Sequence, residues 1–162
     1  IVHGGSVGEG GDISVGYDNW RKALEHVEDT GMRVLVENTA GGKNSVARYM
    51  DSIERLWEVI GHLNVGLCLD TCHTWAGGIP TIDAVKGFKK LVKKIDLIHF
   101  NDSKDGFESS RDRHENLGKG KIPKEELEYV IKNAKTDIIV ETPNGPDAQK
   151  KDIAWIRRRL KK

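Results

Sequence analysis

Eight residues of metal-ligand type stand out by where they fall: His3, Glu37, Asp70, His73, His99, Asp112, His114 and Glu141. Four strand-like apolar runs close on one of them: Val34-Leu35-Val36-Glu37, Gly66-Leu67-Cys68-Leu69-Asp70, Leu97-Ile98-His99 and Ile138-Ile139-Val140-Glu141. His3 closes a fifth, Ile1-Val2-His3, and His73 is expected to reach back from the loop after Asp70. Asp112 and His114 are two apart, so in extended backbone both side chains share a face and can hold one ion. Singly, each has a plainer reading: a carboxylate capping a turn, a core histidine at His99, a solvated loop at Asp112. Together they describe a multi-metal site. Imidazoles mixed with carboxylates suit Zn²⁺, Mn²⁺ or Fe²⁺ far better than Ca²⁺. His26 and His62 fall in mid-helix and past a helix end, and read as surface or packing residues. No Cys-x-x-Cys pair, P-loop or nucleophile elbow is present.

The elements that must position these ligands alternate. Helical periodicity is expected over residues 17–30, 45–60, 81–94, 124–133 and 147–160, with Pro123 as the first residue of the fourth helix. Strands are expected over 34–37, 65–70, 96–101 and 137–142, and residues 102–122 read as a long polar loop. With the opening strand this makes five β/α units. Their terminal ligands are 34, 33, 29 and 42 residues apart, room for a strand, a crossover helix and short loops. Alternating β and α with apolar strands implies a parallel sheet whose function gathers at the C-terminal strand ends. Five adjacent strands in an open sheet would spread the ligands over roughly 20 Å, whereas a closed ring aims them at one axis. The expected fold is therefore a (β/α)₈ TIM barrel, here partial, with about five parallel strands in a single domain spanning residues 1–162. The chain opens on Ile1 inside an apolar run, so it is expected to be a piece of a longer protein.

Composition sets wide limits. A 37% hydrophobic content over 162 residues can bury a core. A net charge of +1 gives no global attraction to nucleic acid, so any basic contact surface must be local. No apolar run approaches the roughly 18 residues of a membrane span, so no membrane partner is expected. Cys68 and Cys72, on a strand end and its loop, are expected to be free buried thiols in a cytoplasmic, reducing setting.

Five segments carry a resemblance: Val36-Glu37-Asn38-Thr39-Ala40-Gly41, Cys68-Leu69-Asp70-Thr71-Cys72-His73, His99-Phe100-Asn101-Asp102-Ser103-Lys104, Asp112-Arg113-His114 through Gly120, and Glu141-Thr142-Pro143. In that order and spacing, after His3-Gly4-Gly5-Ser6, the chain resembles the endonuclease IV family of apurinic/apyrimidinic DNA-repair endonucleases. The resemblance implies a TIM barrel with three Zn²⁺ ions, for which Mn²⁺ is a possible substitute. Glu37 would bridge two ions. Asp70, His99 and Glu141 would complete one of those sites, and His73, Asp112 and His114 would hold the third. His3 would serve the remaining ion, whose second histidine comes from an earlier strand in the family.

The chemistry implied is metal-assisted hydrolysis of the phosphodiester 5′ to an abasic site, leaving a 3′-hydroxyl, with trimming of blocked 3′ ends as a related activity. Glu37, Asp70 and Glu141 would be its catalytic carboxylates. The substrate would be double-stranded DNA with abasic sites or blocked 3′ ends, and Lys104, Arg113 and Lys119 are candidates to contact its backbone. Two alternatives stand. A sugar isomerase or epimerase of the xylose-isomerase-like barrel would use Glu37, Asp70, His99 and Glu141 around one ion, but would have no need of His73, Asp112 and His114. A catalytically inactive metal-binding fragment would expose two sheet edges, open to self-association.

Overall fold

The computed structural model describes residues 1–161. Its frame is a five-stranded parallel sheet, a partial α/β barrel. The strands are β1 (Val2–His3), β2 (Val34–Glu37), β3 (Val65–Asp70), β4 (Leu97–His99) and, after a small hairpin of β5 (Asp102–Ser103) and β6 (His114–Glu115), β7 (Asp137–Ile139). The order is β1-β2-β3-β4-β7, so every neighbour in the sheet is the next strand of the series. The register is what matters for function. His3 pairs with Glu37, and Asp70 pairs with His99, which lines the expected ligands along one end of the sheet.

Helices α1 (Ile13–Val27), α2 (Met50–Ile60), α3 (Thr71–Gly77), α4 (Thr81–Leu91), α5 (Lys124–Ala134) and α6 (Gly145–Leu160) follow the strands. Their apolar stripes bury Ile53, Leu56 and Ile60 from α2, Ala84, Val85 and Phe88 from α4, and Leu127, Val130 and Ile131 from α5. These close on Val36, Leu67, Leu69 and Ile98 of the central strands, all at most 1% exposed. Burial of this kind contributes about 25 cal/mol per Å² of apolar surface and fixes the strand ends in place. The outer strands β1 and β7 have free edges among the described residues, and Val2 and Ile139 are half-exposed there. No helix among the described residues is long and apolar enough to cross a membrane.

Several boundaries depart from periodicity for local reasons. The first helix starts at Ile13, not 17, because the Asp12 carboxylate accepts a hydrogen bond from Ser14 N at 2.9 Å and caps it. The second starts at Met50, not 45. Residues 45–49 instead pair with the loop after β1, through Val46 N to Gly5 O at 2.9 Å, and with the end of β2, through Thr39 N to Ala47 O at 2.8 Å. Pro123 is the N-cap of α5, one position before the first helical residue. The expected loop after Asp70 is the short helix α3, and the expected polar loop 102–122 contains the β5–β6 hairpin.

Strands β4 and β7 are shorter than expected because side chains take over the ladder. Asn101 Oδ1 accepts from Glu141 N at 2.8 Å where backbone pairing stops. Asn38 does the same between β2 and β3: its Oδ1 accepts from Asp70 N at 2.8 Å and its Nδ2 donates to Asp70 O at 3.1 Å.

Candidate metal centre

All eight expected ligands converge at the C-terminal end of the sheet. Glu37, Asp70, His99 and Glu141 each offer a ligand atom within 4.8 Å of the others. Glu37 Oε1 lies 3.1 Å from His99 Nδ1 and 3.3 Å from His73 Nδ1, while its Oε2 lies 3.4 Å from His3 Nε2. The two oxygens of one buried carboxylate thus face different histidines, the arrangement a bridging ligand requires. Glu141 Oε2 reaches His99 Nδ1 at 3.2 Å from a half-exposed side chain, on the open side of the cluster. It stands two residues beyond β7 rather than on the strand.

The second set is built on the helix that periodicity did not reveal. Asp70 ends β3 and also caps α3, its Oδ1 accepting from His73 N at 2.7 Å. That places His73 in the first helical turn rather than on a loop. His73 Nδ1 faces Asn38 O at 2.9 Å; a carbonyl only accepts, so this nitrogen donates and Nε2 is turned into the site. His114, on β6, is turned the same way by Glu141 O, 3.3 Å from its Nδ1. The two Nε2 atoms then approach one oxygen, Asp112 Oδ1, at 3.0 and 3.2 Å. Both are buried and neither makes a well-directed hydrogen bond. Proximity without hydrogen-bond alignment is what donors aimed at a common cation show, and buried polar atoms are rarely left in this state. The donor set fits a transition-metal ion.

Electrostatics agree with the geometry. Burial works to raise Glu37, but hydrogen bonds from His73 and His99 outweigh it and hold the carboxyl down at about 2. Burial works to lower His73, but Asp70, Asp112 and Glu37 push it up to about 11. His99 and His114 are raised too: burial opposes it, and the hydrogen bond of His99 to Glu37, the close approach of Asp112 to His114 and the nearby carboxylate charges prevail. The close approach of the His114 and His73 rings holds Asp112 far below the usual carboxylate range.

Cys68 and Cys72 are free and buried. Burial pushes Cys72 up to about 12 and Cys68 higher still, so neither is a thiolate near neutral pH. Lys104 and Lys119 are exposed. Arg113 is exposed as well, but its guanidinium already pairs with Asp105, Nε to Oδ2 at 2.7 Å.

Sequence reasoning missed the residues that hold the candidate ligands. Asn38 and Asn101 bracket Asp70, the latter donating from Nδ2 to Asp70 Oδ2 at 2.7 Å. Asp102 gathers four backbone N–H groups, from Ser103, Gly118, Gly120 and Ile122, at 2.8 to 3.1 Å and so shapes the loop beyond β6. The signal available was position: each lies within three residues after a strand-end ligand.

A parallel sheet with clustered ligands at its C-terminal end defines a class, and comparison agrees: the chain belongs to the xylose isomerase-like TIM barrel family, which matches residues 1–159. Within that family the likeness is to endonuclease IV. A probable endonuclease 4 of Mycobacterium tuberculosis (strain ATCC 25177 / H37Ra) is 49% identical over 159 residues, covering 98% of this chain and 62% of that protein. The crystal structure of endonuclease IV from Thermus thermophilus superposes with a TM-score of 0.77 at 29% identity, over 99% of this chain and 61% of that one. A D-tagatose 3-epimerase-like protein has a TM-score of 0.73 at 18% identity, over 99% of this chain and 61% of that one, a likeness of fold alone. The chain spans about three fifths of the length of the relatives it matches.

Proposed function

We propose that the protein is a zinc-dependent DNA-repair endonuclease that hydrolyses the phosphodiester 5′ to an abasic site and leaves a 3′-hydroxyl, with 3′-end trimming as a second use of the same centre. Residues 1–162 would form the C-terminal part of that enzyme's barrel, acting in the cytoplasm on double-stranded DNA. One observation carries the reading: beside the set of buried Glu37, Asp70 and His99 with half-exposed Glu141 lies a second set, in which the buried Nε2 atoms of His73 and His114 approach Asp112 Oδ1 at 3.0 and 3.2 Å without aligned hydrogen bonds. A sugar isomerase working with one divalent ion has no use for that second set. The likeness to proteins named endonuclease 4 supports the same choice.

Glu37, Asp70, His99 and Glu141 would hold one ion, His73, Asp112 and His114 another, and His3 with Glu37 part of a third. When bound, such ions supply Lewis acidity toward a phosphodiester and a nucleophile at neutral pH. The chain's own residues do the rest. Glu37 ties neighbouring sites together through its two oxygens, and the carbonyls of Asn38 and Glu141 fix the tautomers of His73 and His114. Glu141 and Asp112, each half-exposed, form the mouth through which a backbone phosphate would enter. Lys104, Arg113 and Lys119 would contact flanking phosphates without reading base sequence.

The test pairs metal content per chain with incision of a duplex carrying one abasic site. Two or more zinc ions per chain, one of them lost in His114→Ala, and a 3′-hydroxyl product that a polymerase extends are expected. A single ion unaffected by His114→Ala, with epimerisation of a ketose, would replace this reading with the isomerase.

A further inference from the structure

The ligand motifs leave out a buried acid on α6. Asp152 is 4% exposed, one turn before Ile156, the other buried residue of this otherwise largely polar helix. Three donors converge on its carboxylate: Thr142 Oγ1 at 2.6 Å and Asn116 Nδ2 at 2.7 Å to Oδ2, and Leu117 N at 3.0 Å to Oδ1. Burying a carboxylate is costly, and these hydrogen bonds are what makes the position tenable. Each donor sits next to the metal centre. Thr142 directly follows Glu141, and Asn116 lies two residues after His114. Asn116 also donates to Pro143 O at 3.0 Å and accepts from Asn144 Nδ2 at 2.7 Å. The loop after β7 and the end of β6 are thus tied to each other and to α6.

Within that frame Glu141 serves both ligand sets. Its carboxylate faces His99 at 3.2 Å, and its carbonyl lies 3.3 Å from His114 Nδ1, turning His114 Nε2 toward Asp112 and Asp70. We infer that Asp152, acting through Thr142 and Asn116, is a positioning residue for two ion sites at once. It sets where Glu141 stands in the four-ligand set and how His114 is turned in the three-ligand set. The two sites are therefore coupled through helix α6, which donates no ligand to either. This inference rests on the metal centre proposed above.

The variant that tests it is Thr142→Val, which removes the hydroxyl at nearly constant volume, with Thr142→Ser restoring it. The readout is the chelator concentration that strips zinc from the loaded chain, with the visible spectrum of the cobalt-loaded chain as a second measure of ligand geometry. Loss of a group that orients a metal ligand typically costs about 10- to 100-fold in metal affinity. Thr142→Val is expected to weaken two ions together by an amount in that range and to alter the cobalt spectrum, and Thr142→Ser to return both. A wild-type stripping curve in Thr142→Val, a change confined to one ion, or failure of Thr142→Ser to recover would overturn the coupling. A merely structural role would lower the metal-free unfolding midpoint and leave stripping unchanged, which also overturns it. A wild-type chain that takes up no zinc would instead overturn the metal centre itself. The two failures are separate.

Discussion

Asn101 offers the sharpest test of how the centre is held before any ion arrives. The side chain is fully buried, donates to Asp70 Oδ2 at 2.7 Å and accepts from Glu141 N at 2.8 Å. Asn101→Asp keeps the size and the acceptor but sets a second carboxylate oxygen where the donor stood. Two charges at that separation repel by about 6 kcal/mol even at an effective dielectric of about 20. Taking up one proton is cheaper. Holding a carboxyl of ordinary pKa near 3.9 protonated at pH 7 costs about 4 kcal/mol, at 1.36 kcal/mol per pH unit, and at pH 5 only about 1.5 kcal/mol. Once protonated, the new O–H donates to Asp70 as the amide did. The sign follows from linkage: the folded pair's pKa lies above its unfolded value, so the folded variant binds the extra proton and loses stability as pH rises. Neighbouring imidazolium groups reduce both figures without reversing the trend. Urea unfolding in EDTA, from pH 5 to pH 7, should therefore show a stability gap to wild type that widens with pH toward about 4 kcal/mol. A flat gap, or one under about 1 kcal/mol at pH 7, would mean that the Asn101–Asp70 bond contributes little to the fold.

Metal uptake should be strongly pH-dependent. The pKa of His73 is raised to about 11 and those of His99 and His114 are also raised, so the metal-free chain carries protons that an ion must displace. Affinity should fall about tenfold per displaced proton for each pH unit of acidification, and titration calorimetry in buffers of different ionisation enthalpy should register proton release; uptake independent of pH from 6 to 8 would refute it. The same histidine pairs stabilise the metal-free fold fully below the unfolded value near 6.5, and that contribution is lost as pH rises through the folded pKa. Gly120→Ala should destabilise by about 2 to 4 kcal/mol, because its Cβ would stand 2.2 Å from Asp102 Oδ1 and 2.4 Å from Ser103 O, with no flexible tip to yield. An unchanged urea midpoint would show that the Asp102-centred loop can open at no cost.

The candidate ligands were legible because parallel strands advertise themselves: apolar runs such as Val34–Val36 and Leu67–Leu69 leave a terminal Glu37 or Asp70 no reading but the strand end. Strands β2 and β3 fall where expected for that reason. Helix α3 was not legible. Seven residues, Thr71–Gly77, give no full apolar period, and the residue that announces the helix, Asp70, had already been read as a ligand. The β5–β6 hairpin has two residues per strand, too few for alternation to show. Asn38, Asn101 and Asp152 were invisible for a different reason. An Asn after a strand reads as a turn residue and an Asp in a polar helix as a solvated charge. Only the register of the sheet and the docking of α6 bring them to Asp70 and Thr142.

The same geometry explains why so many charges are buried at one end of this sheet. Glu37, Asp70 and His73 are each under 5% exposed, and taking such groups from water costs several kcal/mol apiece. Ion pairs among them offset part of that cost, yet well-packed apolar residues of similar volume are often as stable or more so. Stability alone therefore does not account for the cluster, least of all for the His73 and His114 Nε2 atoms that are buried without aligned partners. Their orientation costs further backbone arrangement, since Asn38 O must meet one ring and Glu141 O the other. Two carbonyls committed to pointing two imidazoles at one carboxylate oxygen form an arrangement suited to a cation among them. The three-ligand set is thus the feature whose failure to bind metal would count most heavily against the proposed function.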